Sequence, residues 1–198
     1  MPPSAPLRHV GVALALPEPT TGQLQGWRER LGDPGARDIP PHVTLLPPTP
    51  LRATDLPAVE AHLRWVSTRH VPWTMRLSGA GSFRPVSPVV FVVVHRGAPE
   101  CDRLAADVRA GPLDRELAFP YHPHVTVAHD LGPRELDAAQ RALRDYEATF
   151  TVWGFTLFER ARDGAWRPQR DFPFGPTPVG PALPPDLLLG SLTAREST

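Results

Sequence analysis

Lysine is missing from this 198-residue chain, and all 21 Lys-plus-Arg positions are arginine. Mechanisms that need a lysine nucleophile are thereby excluded, among them the covalent route of ATP-dependent ligases. Cysteine is almost missing too. Cys101 stands alone, so no intramolecular disulfide can staple a secreted fold, and no cysteine zinc cluster can form. No stretch approaches 18 apolar residues, and Met1 to Leu7 lacks a basic region followed by an apolar run. Neither a membrane span nor a signal peptide is expected, and a cytoplasmic location follows. An excess of charge is also lacking, since 21 acidic residues balance the arginines. A broad surface for nonspecific duplex binding is therefore not expected. Two hydrolase signatures are absent as well: the Gly-x-Ser-x-Gly elbow and the Gly-x-x-x-x-Gly-Lys-Ser/Thr phosphate loop.

Proline, by contrast, is abundant at 27 residues. Six prolines fall between Pro173 and Pro185, which sets residues 173–198 apart as a Pro-rich tail without periodicity. The remaining 1–172 is long enough for one sizeable domain. Its patterning predicts strands at 10–16, 42–46 (ended by Pro47 and Pro48), 71–77, 89–94, 124–128 and 150–158. A final strand at 166–172 follows a hairpin turn at Asp163-Gly164. Helices are predicted at 20–31, stopped by Gly32, and through Leu56, Val59, Leu63 and Val66, with Thr54 or Asp55 as N-cap. Two more run through Leu104 and Val108, and through Leu136, Ala139 and Leu143, with Pro99 and Pro133 able to start them.

The order strand, helix, strand, helix, strand thus occurs twice. First strands begin at 10 and 89, middle strands at 42 and 124, last strands at 71 and 150, offsets of 79, 82 and 79. Near-constant offsets point to a duplicated lobe, with pseudo-repeats at about 8–80 and 88–160 inside one bilobal domain.

Each middle strand opens with the same tetrapeptide, Pro41-His42-Val43-Thr44 and Pro123-His124-Val125-Thr126. Strand alternation puts His42, Thr44 and Leu46 on one face, and His124 with Thr126 on one face of the other strand. If the lobes pack about a pseudo-twofold, two imidazoles and two hydroxyls line one groove. Histidine titrates near neutrality, so one ring can act as base and the other as acid in displacement at a phosphodiester, with no metal or cofactor. The threonine hydroxyls can hold the non-bridging oxygens.

With these residues in view, the chain resembles the 2H phosphoesterase superfamily, in the bacterial branch of 2′-5′ RNA ligases and RNA 2′,3′-cyclic phosphodiesterases. The resemblance rests on Pro41 to Leu45 and Pro123 to Ala128, supported by Gly81-Ser82-Phe83, the strand from Pro88 to Val94, and Phe119 to Pro123. It spans about residues 8–172. It implies an α+β, bilobal fold: two pseudo-symmetric lobes with antiparallel sheets around a central groove and helices outside. It also implies metal-independent hydrolysis of a 2′,3′-cyclic phosphate to a 2′-phosphate. By that analogy His124 activates water and His42 protonates the 3′-oxygen. RNA ends or nucleotide 2′,3′-cyclic phosphates are the implied partners, and a monomer is expected. The family's RNA-processing members carry arginine where this chain has His129.

Further candidates for substrate binding are Phe83, Arg84, Tyr121 and His129. Phe83 can stack on an unpaired base or anchor its loop. Arg84 can meet a phosphate. Tyr121 precedes the second tetrapeptide. Alternation puts His129 opposite His124, at the groove edge or outside it. Trp166 and Arg167 are assigned to packing and surface. Three rival readings remain: a metal site at His122, His124 and His129, a noncatalytic RNA-end binder, and ligation by a 5′-hydroxyl attacking the cyclic phosphate in place of water.

Overall fold

The computed structural model, which describes residues 6–175, contains eight strands and four α-helices in the order β-α-β-α-β-β-α-β-α-β-β-β. The strands are β1 (Leu7–Ala15), β2 (His42–Arg52), β3 (Trp73–Ser82), β4 (Val89–Arg96), β5 (His124–His129), β6 (Glu147–Val152), β7 (Gly154–Arg160) and β8 (Trp166–Pro173). The helices are α1 (Thr20–Leu31), α2 (Leu56–Thr68), α3 (Ala98–Val108) and α4 (Pro133–Ala142). Mixed α and β content is as expected, but the sheet is continuous. All eight strands form one antiparallel sheet in the order β6-β3-β4-β5-β2-β1-β7-β8. Among the described residues no helix is long and apolar enough to cross a membrane.

The strand offsets are tighter than the sequence pattern suggested. From β1 to β4 (7 to 89) and from β2 to β5 (42 to 124) the offset is 82, and from β3 to β7 (73 to 154) it is 81. The halves trade their third strands: β3 pairs with β4 of the later half, and β7 pairs with β1 of the earlier half. Helices cross over as well, since α1 packs on β5 and α3 on β2. The strand read as 150–158 is in fact two strands broken at Trp153. β6 closes the edge of β3, and β8 closes the edge of β7.

Local sequence explains most boundaries. Gly32 ends α1 at φ 75°, a left-handed value that favours glycine, and its N–H caps the Arg28 and Glu29 carbonyls. Pro99 lies in the first turn of α3, and Pro133 begins α4, where a missing N–H costs nothing. Asp55 precedes α2 but makes no side-chain cap bond. The apolar stripes Val59/Leu63/Val66, Cys101/Leu104/Ala105/Val108 and Leu136/Ala139/Leu143 recur at helical spacing and are buried. Together with Val43, Leu45, Val125 and Val127 they form the core, between the helices and one face of the sheet.

Two boundaries differ from expectation. β2 continues through Pro47, Pro48 and Pro50 to Arg52. Leu51 is buried there while Thr49 pairs with Val10. At the other end, Phe174 is buried, stacked on Trp73 at 5.0 Å and close to Phe155. Residues 173–175 therefore pack with the domain, and the Pro-rich segment beyond them, 176–198, lies outside the described residues.

Candidate active site

β2 and β5 meet at the centre of the sheet through one partner pair, Val43 with Val125. Both valines are fully buried on the helical side, so their neighbours face the opposite side. The antiparallel register then sets His42 across from Thr126 and Thr44 across from His124. All four line one groove of about 860 Å³.

The proline of each tetrapeptide has a local consequence. A residue preceding proline is confined to extended backbone, which places its carbonyl in a fixed position two residues before the histidine. His42 Nδ1 lies 2.8 Å from the Pro40 carbonyl oxygen, and His124 Nδ1 lies 2.7 Å from that of His122. A carbonyl only accepts, so each Nδ1 carries the proton and each Nε2 holds a lone pair. The Nε2 of His42 accepts from the Thr44 hydroxyl at 3.1 Å.

Burial lowers both imidazole pKa values. His42 falls to about 4, since loss of hydration outweighs the Pro40 bond, and the Arg28 charge and the second imidazole lower it further. His124 is lowered for the same first reason, with the His122 carbonyl opposing and the His122 ring adding to the fall. Both rings are therefore neutral at pH 7 in the free protein.

A matched irregularity follows each histidine. Between Val12/Ala13 and Leu46/Thr44, β2 spends one residue more than β1. Between Val90/Phe91 and Ala128/Thr126, β5 spends one more than β4. Such bulges reset alternation, and in each case two consecutive residues are buried, Leu45-Leu46 and Val127-Ala128. The expectation that Leu46 follows Thr44 by simple alternation fails for this reason. His129 does sit at the groove margin, one of the two places expected for it, but it is brought there by the bulge and not by simple alternation; its Nδ1 lies 3.2 Å from Asp130.

The other candidates divide. Phe83 lines the groove and also packs: its ring meets Phe91 at 4.4 Å and His124 edge-on at 4.8 Å. Gly81 makes room for this stack, because a Cβ there would sit 2.6 Å from the Phe91 ring. Arg84 is turned away. Its guanidinium is engaged by Asp137 at 2.8 Å, Gln140 at 3.0 Å and Ser82 at 3.1 Å, which anchors the β3–β4 loop to α4. Tyr121 is not among the groove-lining residues. Its hydroxyl donates to the Thr44 carbonyl at 2.9 Å, satisfying an acceptor left over where the β2–β5 ladder has one pair. His122 lines the groove beside His124, with ring centroids 6.0 Å apart. Among the described residues, no three His, Cys, Asp or Glu side chains converge as a set able to hold a metal.

Sequence reading missed several lining residues. Trp166 is one: it lies over Gly11 on the His42 side, and its backbone N–H donates to the Asp38 carbonyl at 2.7 Å. Only the position of the β7–β8 hairpin, equivalent to the β3–β4 loop that carries Phe83, could have signalled it. Phe119, 67% exposed, stands at the rim. Arg28 is buried on α1. It meets Asp33 at 2.7 Å and the Ile39 carbonyl, bracing the loop that supplies Pro40.

Comparison with known proteins fits this geometry. The sequence profile of the 2′-5′ RNA ligase superfamily matches residues 16–164. A Bacillus cytotoxicus protein provisionally named a phosphoesterase is 28% identical over 155 residues, covering 77% of this chain and 89% of its own. A Bacillus mycoides protein with the same provisional name is 27% identical over equal shares. Escherichia coli LigT, crystallised with 3′-AMP, superposes with TM-score 0.62 at 23% identity, over 86% of this chain and 100% of LigT. The TT0787 protein of Thermus thermophilus superposes with TM-score 0.57 at 23% identity, over 84% and 97%. At these identities the structural likeness speaks to fold.

Proposed function

Because the chain belongs to the 2′-5′ RNA ligase superfamily, of 2H phosphoesterase type, we propose that its groove hydrolyses a 2′,3′-cyclic phosphate to a 2′-phosphate. The observation that carries this reading is the pair of imidazoles on either side of the Val43–Val125 rung, each with Nδ1 tied to a backbone carbonyl. Such a pair sets two Nε2 atoms around one phosphate, one to take a proton and one to give it. One Nε2 takes a proton from water as the water oxygen attacks. The other ring, protonated, gives its proton to O3′ as the P–O3′ bond breaks. Thr44 and Thr126 donate to the non-bridging oxygens, holding the phosphate in line. The acid takes its proton from solvent as the substrate binds: an anionic phosphate beside the ring favours imidazolium and opposes the lowering caused by burial. By family analogy His124 is the base and His42 the acid. RNA ends and nucleotides are the substrates this reading considers, and LigT structures with 3′-AMP and NADP+ support a nucleotide-sized occupant.

The test is turnover of nucleoside 2′,3′-cyclic phosphates in excess chelator, with the product identified. His42→Ala and His124→Ala should each lower kcat by at least about 100-fold, the lower end of general acid–base contributions, while melting near the wild-type temperature. Retention of full activity in either variant would overturn the assignment.

A further inference from the structure

Building on that reading, we propose that the groove selects small cyclic phosphates bearing a single phosphate and an aromatic base, and does not grip an RNA backbone. Charge is the first ground for it. Among the described residues lining the groove, Arg28 is the only arginine, and it is already paired with Asp33 at 2.7 Å. Asp33 and Asp38 line the groove with it, so among the arginine and carboxylate charges of the lining there is one negative more than positive. His129 faces Asp130, and Arg84, the cation nearest in sequence to the aromatic wall, is spent on Asp137 and Gln140. A chain of phosphates laid along this groove would meet no unpaired arginine in its lining. One phosphate at the centre has two hydroxyls and two imidazoles instead.

What the walls do offer is ring surface. Phe83 and His122 pack with His124 on one flank, Trp166 lies by His42 on the other, and Phe119 also lines the groove. Phe119 leaves two thirds of its surface exposed at the rim. Aromatic platforms hold bases without backbone charge, at about 1–3 kcal/mol per base, or roughly 5- to 150-fold in affinity. The charge balance also favours release: a 2′-phosphate product carries a second negative charge that Asp38, the carboxylate left over once Arg28 and Asp33 cancel, repels, while the cyclic substrate carries one.

The experiment compares one nucleoside 2′,3′-cyclic monophosphate with a ten-nucleotide RNA ending in the same cyclic phosphate, each at 50 and 200 mM KCl. The expected result is kcat/KM for the mononucleotide within about threefold of the RNA, and a KM for the RNA that rises no more than about twofold with salt. A groove gripping four phosphates would lose about 50-fold over that range, from a single-strand slope of about −0.7 per contact. A strong preference for the RNA with such a salt dependence would overturn the proposal and leave the hydrolytic reading standing. Turnover of neither substrate would remove both. Phe119→Ala and Trp166→Ala should each raise KM for the mononucleotide about tenfold at nearly constant kcat, and an unchanged KM in both would remove the stacking walls from the proposal.

Discussion

At the scale of single residues, the imidazole environments set the direction of the pH response. In the free protein His42 titrates near 4 and His124 below its ordinary value of 6.5. A pair that works with one ring charged and one neutral is most populated between its two pKa values. Because both lie below 6.5, kcat/KM should peak in the acid range and fall as pH rises through 7. The kcat profile, which reports the bound complex, should lie to higher pH because the substrate anion favours imidazolium. Steady-state kinetics from pH 4 to 9 would show this, and a kcat/KM optimum above about pH 7.5 would contradict it. The same depression acts on stability. An unfolded His42 binds a proton near 6.5 and a folded one near 4, so its contribution to stability is present above 6.5 and is lost as pH falls toward 4. Residue types and spacing already pointed to the two histidines and threonines, since alternation needs few residues to act. The roles of Arg84 and Tyr121 were not readable, because their partners Asp137, Gln140 and Thr44 lie 53, 56 and 77 positions away.

At the scale of elements, α1 and the loop after it hold the first histidine in place. Arg28 leaves the buried face of α1, pairs with Asp33 and reaches the Ile39 carbonyl, next to the Pro40 carbonyl that orients His42. Side-chain exposures of 6% and 2% mark this as a buried pair. Removing one partner strands the other charge, at a cost of about 3–5 kcal/mol. Arg28→Met should therefore lower Tm by about 10 °C or more in a thermal melt. Asp33→Asn in the same chain should recover part of that loss, because an amide oxygen can still accept from the Gly35 N–H. No recovery would indicate that packing of the arginine stem, and not its charge, carries the stability. Helix positions were plain in the sequence because apolar stripes and the breakers Gly32, Pro99 and Pro133 agreed. The bulges after each histidine were not, since a bulge arises from the neighbouring strand's register and leaves no local mark in Leu45-Leu46 or Val127-Ala128. That is why simple alternation set His129 on the face opposite His124, although its place at the groove edge was expected.

At the scale of the whole molecule, the halves are interlocked by trade of strands and helices. The offsets of the repeat were visible in sequence, but the trade was not, because identical offsets result whether a third strand stays home or crosses. Residues 1–87 alone would leave β1 without β7 and β3 without β4. Expressed separately, that half should fail to give a cooperative melt by circular dichroism, whereas coexpression with residues 88–198 should restore both the melt and any cyclic phosphodiesterase activity. An independently folded 1–87 fragment would refute the interlock. The single Val43–Val125 rung gives the interlock a mechanical meaning. A sheet joined by a full ladder would fix the gap between its central strands by backbone bonds alone. Here the gap between the two imidazoles is set from behind, by α1 braced on β5, α3 braced on β2 and the Tyr121 hydroxyl tied to β2. The aperture through which a phosphate passes is thus governed by side chains that no ligand in the groove can touch, and tuning it is a matter of repacking the far face.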